Sequence, residues 1–251
     1  MVDPIAWALL AVAAVVVGLS KTAIPGSATI AVAIFAAVMP AKQSTGTILL
    51  LLILADLFAI TIYRHDVNWR ALLRLAPAVL VGVLLGVGFL AVADDVWVKR
   101  TIGVILLTVI AFTLLRRWLV RSATADDRPH RLAAATYGTL GGFTTMVANS
   151  AGPVMSMYFL AARFSVKEFL GTTAWFFFFV NVSKVPFSVG LGLITGPGLL
   201  IDLVLAPLVV AGALFGRWWA SRLDQRLFER IVIVVTIVGA LYLVWPFDTP
   251  V

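Results

Sequence analysis

The chain has no cysteine, which removes disulfides, thiolate nucleophiles and cysteine metal sites together. Charge is scarce as well: Asp, Glu, Lys and Arg make up 12% of 251 residues, about half the share usual in soluble domains. Its two histidines, His65 and His130, fall in polar loops without ligand spacing around them, so no metal is expected. Neither Gly-x-Gly-x-x-Gly nor a P-loop occurs, so no nucleotide-driven engine and no cofactor is expected. An intramembrane enzyme would need a nucleophile with a base, or a metal, and ranks last on these grounds. Strict apolar/polar alternation is missing too. Runs such as "ILLLLILADLFAI" (48–60) therefore exclude a transmembrane barrel.

What fills the chain is apolar: 62% of residues are hydrophobic and the mean hydropathy is +1.06. Apolar segments run over about 5–19, 27–39, 43–63, 70–93 and 98–118, then 132–145, 150–163, 167–186, 198–219 and 228–246. This predicts an all-α integral membrane protein, a polytopic helical bundle. The start "MVDPIAWALLAVAAVVVGL" has no basic n-region and reads as the first membrane segment rather than a cleaved signal peptide.

The segments fall into five and five, and the halves match. Gly46-Thr47 corresponds to Gly171-Thr172, and Asp56 to Asn181 at the same offset. Pro77, Gly82, Gly86, Asp94 and Arg100 correspond to Pro207, Gly212, Gly216, Asp224 and Arg230, with one insertion near 187–197. We expect two repeats, 1–120 and 131–251, joined by a linker at 121–130. Segments 5–19 and 27–39 are each too short for a comfortable crossing. As a re-entrant pair or two short spans, they return the chain to its starting side. Each repeat is then a broken or re-entrant helix pair plus three transmembrane helices. The second repeat starts on the opposite side, so the repeats are inverted.

Under that topology fourteen of the nineteen Lys and Arg, from Arg64 to Arg230, share one face, against Lys42, Lys99 and Arg100 on the other. The bias makes the first face cytoplasmic and places both termini outside. It also accounts for the net charge of +7 without nucleic acid. Two cations belong to neither face: Lys21 and Lys184.

Lys21 stands in "GLSKTAIPGSATIAVAIF" (18–35), and the matching interruption is "GGFTTMVANSAGPVMSMYF" (141–159). Irregular backbone at membrane depth is tolerated only where protein or a water-filled cavity surrounds it. Two breaks entering from opposite sides would meet near the midplane. The following helices begin with Pro25-Gly26-Ser27 and Asn149-Ser150-Ala151-Gly152-Pro153, where Ser and Asn suit an N-cap and Pro the first turn. Free amides and the positive end of each helix dipole would then face a common anion. The expected substrate contacts are Lys21, Thr22, Pro25, Gly26 and Ser27 from one tip, and Thr144, Thr145, Asn149, Ser150 and Gly152 from the other.

Each feature also has a plainer reading. Lys21 could snorkel to an interface, and the breaks could be ordinary turns between spans. Asp56, read as the only carboxylate well inside a span, could neutralise a lysine, carry a proton, bind a co-transported cation or serve as a buried hydrogen bonder. Its mate Asn181 is a neutral near-isostere. Lys184, one turn beyond, is placed either to touch the substrate or to snorkel beside Pro186. Asp56, Asn181 and Lys184 are the coupling candidates. Gly82-x3-Gly86 and Gly212-x3-Gly216 read as close helix packing, and "WFFFF" (175–179) as lipid-facing or core.

At these residues the chain resembles the sulfite exporter TauE/SafE (TSUP) family. The likeness runs through "GLSKTAIPG", "PAKQSTGTILLLLILADLFAITIYR", "GGFTTMVANSAGP" and "KEFLGTTAWFFFFVNVSKVPF", and covers nearly the whole chain. It implies a permease of the bacterial inner membrane moving sulfite or organosulfonate anions such as sulfoacetate, driven by an ion gradient. Many relatives carry more glycine at the first break than Pro25-Gly26-Ser27-Ala28 provides. The alternative is an uncoupled anion channel with the same lining. The expected partners are the small anion and the lipid bilayer, with no nucleic acid.

Overall fold

In a computed structural model, residues 3–22, 27–119, 131–162 and 164–219 are described, with Ile237 and Leu241 as isolated helical positions. They form α1 (Pro4–Thr22), α2 (Ala28–Val38), α3 (Ala41–Tyr63), α4 (Trp69–Val92), α5 (Asp95–Leu119), α6 (Arg131–Ala148), α7 (Gly152–Ala161), α8 (Val166–Gly190) and α9 (Gly196–Trp219). Among the described residues there is no strand. The expected tenth segment, 228–246, lies outside the described residues apart from those two positions, and the linker at 121–130 lies wholly outside them.

Among the described residues, four helices are long and apolar enough to cross a membrane: α1, α3, α4 and Gly196–Gly216 of α9. The chain is a helical membrane protein. Its outward faces agree, since Leu73, Val92 and Leu203 are among the most exposed side chains, at 73%, 86% and 72%. Such surface on α4 and α9 is costly in water and favourable in lipid.

The first helix corrects the sequence reading. Read as 5–19 and too short to cross, α1 has 19 residues, about 28 Å. Ser20, Lys21 and Thr22 remain helical because the polar side chains are satisfied locally. Ser20 Oγ donates to the Val17 carbonyl (2.7 Å) and Thr22 Oγ1 to the Gly18 carbonyl (3.2 Å). The second break falls later than read: the segment read as ending at 145 runs on to Ala148 in α6, leaving 149–151 irregular.

Helix ends carry recognisable chemistry. Ser165 caps α8 by accepting from the Glu168 amide, and Asn68 caps α4 by accepting from the Ala71 amide at 2.9 Å. Asn68 also latches the α3–α4 turn onto α8. Its Nδ2 donates to Glu168 Oε1 (2.6 Å) and its backbone N–H to Thr172 Oγ1 (3.0 Å).

The main packing pairs are α4 with α6, α1 with α9, and α3 with α8. Glycines set the closest approaches. A Cβ on Gly142 would strike the Val79 carbonyl, and one on Gly18 the Val209 carbonyl; Gly82 faces Thr139, and Gly212 faces Val15. Val79 and Val209 are 130 positions apart, as are Gly82 and Gly212. The two glycine contacts are thus counterparts of each other. These contacts run in register, so α1 lies parallel to α9 and α4 parallel to α6. By contrast α3 and α8 are antiparallel, with Gly171 against Tyr63 and Asp66, and Gly46 against Leu193.

Candidate functional site

A cavity opens between the two breaks and the facing stretches of α3 and α8. Its volume is about 50 Å³, enough for a few waters at about 10–15 Å³ each, or for one small oxyanion in their place. From α1 and the start of α2 come Ser20, Lys21, Ala28 and Thr29; from α3, Leu52, Asp56, Ala59 and Tyr63. The end of α6, the second break and α7 supply Thr145, Asn149, Ser150, Gly152 and Ser156, and α8 supplies Thr173, Phe177 and Asn181.

Lys21 and Asp56 form an ion pair of 2.8 Å, with the lysine 12% exposed and the aspartate fully buried. Snorkelling is thereby excluded for Lys21. Its Nζ also lies 4.2 Å from the centroid of Phe177, a cation–π contact, so one ring of "WFFFF" belongs to the site rather than to the lipid face. On the other carboxylate oxygen, Asn181 Nδ2 donates to Asp56 Oδ2 at 2.6 Å. The matched positions of the two halves touch.

Lys184 does not snorkel either. It is 1% exposed, and its Nζ donates to the Thr145 carbonyl (2.8 Å), Thr145 Oγ1 (3.0 Å) and Asn149 Oδ1 (2.7 Å). Because α8 runs on to Gly190 through Pro186, Lys184 sits a helical turn inside and reaches the second break, behind the residues that face the cavity. Asn149 is held in a left-handed conformation (φ 47°), which asparagine tolerates. Its Nδ2 donates to the Thr45 carbonyl (3.1 Å), and Thr45 Oγ1 donates to the Val147 carbonyl (3.2 Å). The second break is thus fastened to α3 and α8.

Of the expected contacts, Lys21, Thr145, Asn149, Ser150, Gly152, Asp56 and Asn181 meet at the cavity. Thr22 and Thr144 do not line it, because their hydroxyls bond back to carbonyls of their own helices. Ser27 is buried and sits at the N-cap of α2 without a side-chain cap bond. Asn149 is no N-cap for α7, which starts three residues later with its side chain already committed to Lys184 and Thr45. Pro25 and Gly26 lie outside the described residues. The starts of α2 and α7 both reach the cavity through Ala28, Thr29 and Gly152.

Sequence reading missed Thr173 and Ser156. Thr173, Phe177 and Asn181 recur at four-residue intervals on α8, and Asp56, Ala59 and Tyr63 at three and four on α3, so one helical stripe on each was the available signal. The hydroxyls of Ser150 and Thr173 are buried without a hydrogen-bond partner among the described residues. It also missed Asp202. That carboxylate is 7% exposed within α9 with neither oxygen hydrogen-bonded, so Asp56 is not the only carboxylate inside a span. Asp202 does not line the cavity. Among the described residues no cluster of His, Asp or Glu could hold a metal ion.

One lysine paired with an aspartate, two helix starts and two hydroxyls without a partner among the described residues meet at this cavity, with a second lysine behind it, a set of groups suited to a small anion. The profile of one family, described as Sulfite exporter TauE/SafE, matches residues 10–243. No curated protein and no solved structure gives a significant match.

Proposed function

The chain belongs to the sulfite exporter TauE/SafE family, and on that footing we propose that it is a secondary transporter for sulfite or organosulfonate-type anions such as sulfoacetate. The anion binds between the two breaks, and alternating access exposes it to each side of a bacterial inner membrane in turn. The observation that carries this reading is the cavity where the starts of α2 and α7 meet the Lys21–Asp56 pair. An exposed ion pair at an interface would say little. A buried one at a break in the helices marks a place where charge is handled.

Lys21 supplies charge to the oxyanion, while the α2 and α7 starts and the Ser150 and Thr173 hydroxyls supply donors. Asp56 holds Lys21 when no anion is present and is the coupling group, with Asn181 and Lys184 tuning its surroundings. The architecture we infer is two inverted repeats. Three features support it: the reciprocal glycine contacts, the parallel α1/α9 and α4/α6 pairs beside antiparallel α3/α8, and the meeting of Asp56 with Asn181.

Uptake of labelled sulfite or sulfoacetate into proteoliposomes tests the reading. Lys21→Ala and Asn149→Ala should each reduce uptake about tenfold or more, the equivalent of about 1.4 kcal/mol. Unchanged uptake in both variants would overturn the site. Saturable flux that follows a pH gradient supports a coupled carrier; non-saturating, gradient-indifferent flux would make the protein an anion channel.

A further inference from the structure

A second buried carboxylate lies away from the anion cavity. Asp202, in the second turn of α9, is 7% exposed, and neither of its oxygens has a hydrogen-bond partner among the described residues. One turn earlier on the same face is Gly198, where a Cβ would stand 2.9 Å from Thr47 Oγ1 of α3. The Thr47 hydroxyl is buried and likewise unpartnered among the described residues. Asp202 and Thr47 therefore share the seam between α3 and α9, with Asp56 about 14 Å further along α3. Among the described residues α9 packs mainly on α1 and α3. The Gly18–Val209 and Gly198–Thr47 contacts set the registers, so the stretches facing Asp202 are about 5–11 of α1 and 47–54 of α3. Neither holds a titratable side chain. The nearest along the chain are Asp3 before α1, Lys42 at the start of α3, and Asp56, which Lys21 and Asn181 already hold. Arg222, Arg226 and Arg230 follow the other end of α9, and the sequence beyond them contains no Lys, Arg or His. The matched position in the first half, 130 residues earlier, is Leu72 of α4, buried to a similar degree at 9%. A leucine thus serves the fold at this position, and an acid there is costly unless it takes up a proton.

We propose that Asp202 is a proton-binding site outside the anion cavity, and that its loading and unloading are linked to movement of the anion. The inference goes beyond the anion site proposed above and rests on the transport reading only for that link. A hard metal cation takes six or more oxygens, whereas the described residues of the seam offer one carboxylate and one hydroxyl; a proton needs a single oxygen. Binding forms one O–H bond on the carboxyl, with the proton taken from water, and no other bond changes. Thr47 and Asp56 share α3, and α9 lies backbone to backbone against α1, which carries Lys21. A rearrangement of α1 and α3 around the anion therefore moves the walls of this seam. Water admitted there solvates the carboxylate and lets the proton go.

Two measurements test the proposal. The infrared difference spectrum between the purified unaltered protein and Asp202→Leu, both at neutral pH, should contain the carbonyl stretch of one protonated carboxyl. Leucine is the residue of the matched position, so this variant should fold and melt no lower than the unaltered protein. In proteoliposomes, one coupled proton shifts the steady-state sulfite ratio about tenfold per pH unit of gradient. Asp202→Asn should lose that tenfold while still binding sulfite in calorimetric titration. A difference spectrum without the carboxyl band would overturn the proton site. A gradient response in Asp202→Asn equal to that of the unaltered protein would overturn the link to transport. Absence of sulfite flux in the unaltered protein would overturn the transport reading and the link with it, while the spectrum still decides the proton site by itself.

Discussion

Removing Lys21 alone would leave the Asp56 carboxylate fully buried beside a single amide. Breaking a buried pair from one side costs about 3–5 kcal/mol, whereas replacing both partners is far milder. Lys21→Met should therefore lower thermal stability in detergent steeply, and the double variant Lys21→Met/Asp56→Asn should regain most of the loss. The unpartnered hydroxyls behave in the opposite way. Ser150→Ala and Thr173→Val remove no protein hydrogen bond, so unfolding should be almost unmoved while sulfite affinity falls, by about 0.5–1.5 kcal/mol for each bond lost. Binding and melting measured on the same variants separate the two effects. Lys21 and Asp56 stood out in the sequence because charge in an apolar run is conspicuous, although their pairing across α1 and α3 was not stated there. The role of Lys184 was not legible, since nothing in "FVNVSKVPF" tells that α8 continues past Pro186 and aims that side chain inward.

For the helices as units, the closest approaches are set by glycine. A methyl group on Gly142 or Gly212 would meet a backbone carbonyl, whereas one on Gly88, in the same α4 as Gly82, would meet nothing within 4 Å. Carbonyls cannot rotate aside as a side chain can. Gly142→Ala and Gly212→Ala should each destabilise by about 1–3 kcal/mol, while Gly88→Ala should be neutral or slightly stabilising; thermal unfolding in detergent checks all three. The existence and order of α1–α9 were readable from apolar runs. Their ends were less so: α1 and α6 both run past their apolar segments, and Ser20, Thr22 and Thr144 turn their hydroxyls onto carbonyls three or four residues back. A list of polar residues looks like a break until those local acceptors are counted.

Taken whole, the molecule is expected to face both ends of its chain outward and its arginine-rich turns inward. The lack of cysteine makes this directly testable. A membrane-impermeant maleimide added to intact cells should label Asp3→Cys and Lys42→Cys, and should label His65→Cys only after lysis; the reverse pattern would invert the topology. The internal match of the halves was visible in residue spacing, but which helices it would bring together was not, because spacing along a chain carries no direction in space. Asp56 against Asn181 shows what such a meeting entails. Two separate copies of one half, associating about the same axis, would have to present the same side chain twice at that point. Two aspartates there would repel, and two asparagines would leave the lysines without a counterion. If the halves descend from one duplicated unit, joining them in one polypeptide releases the two positions to diverge, and an acid can then meet an amide there.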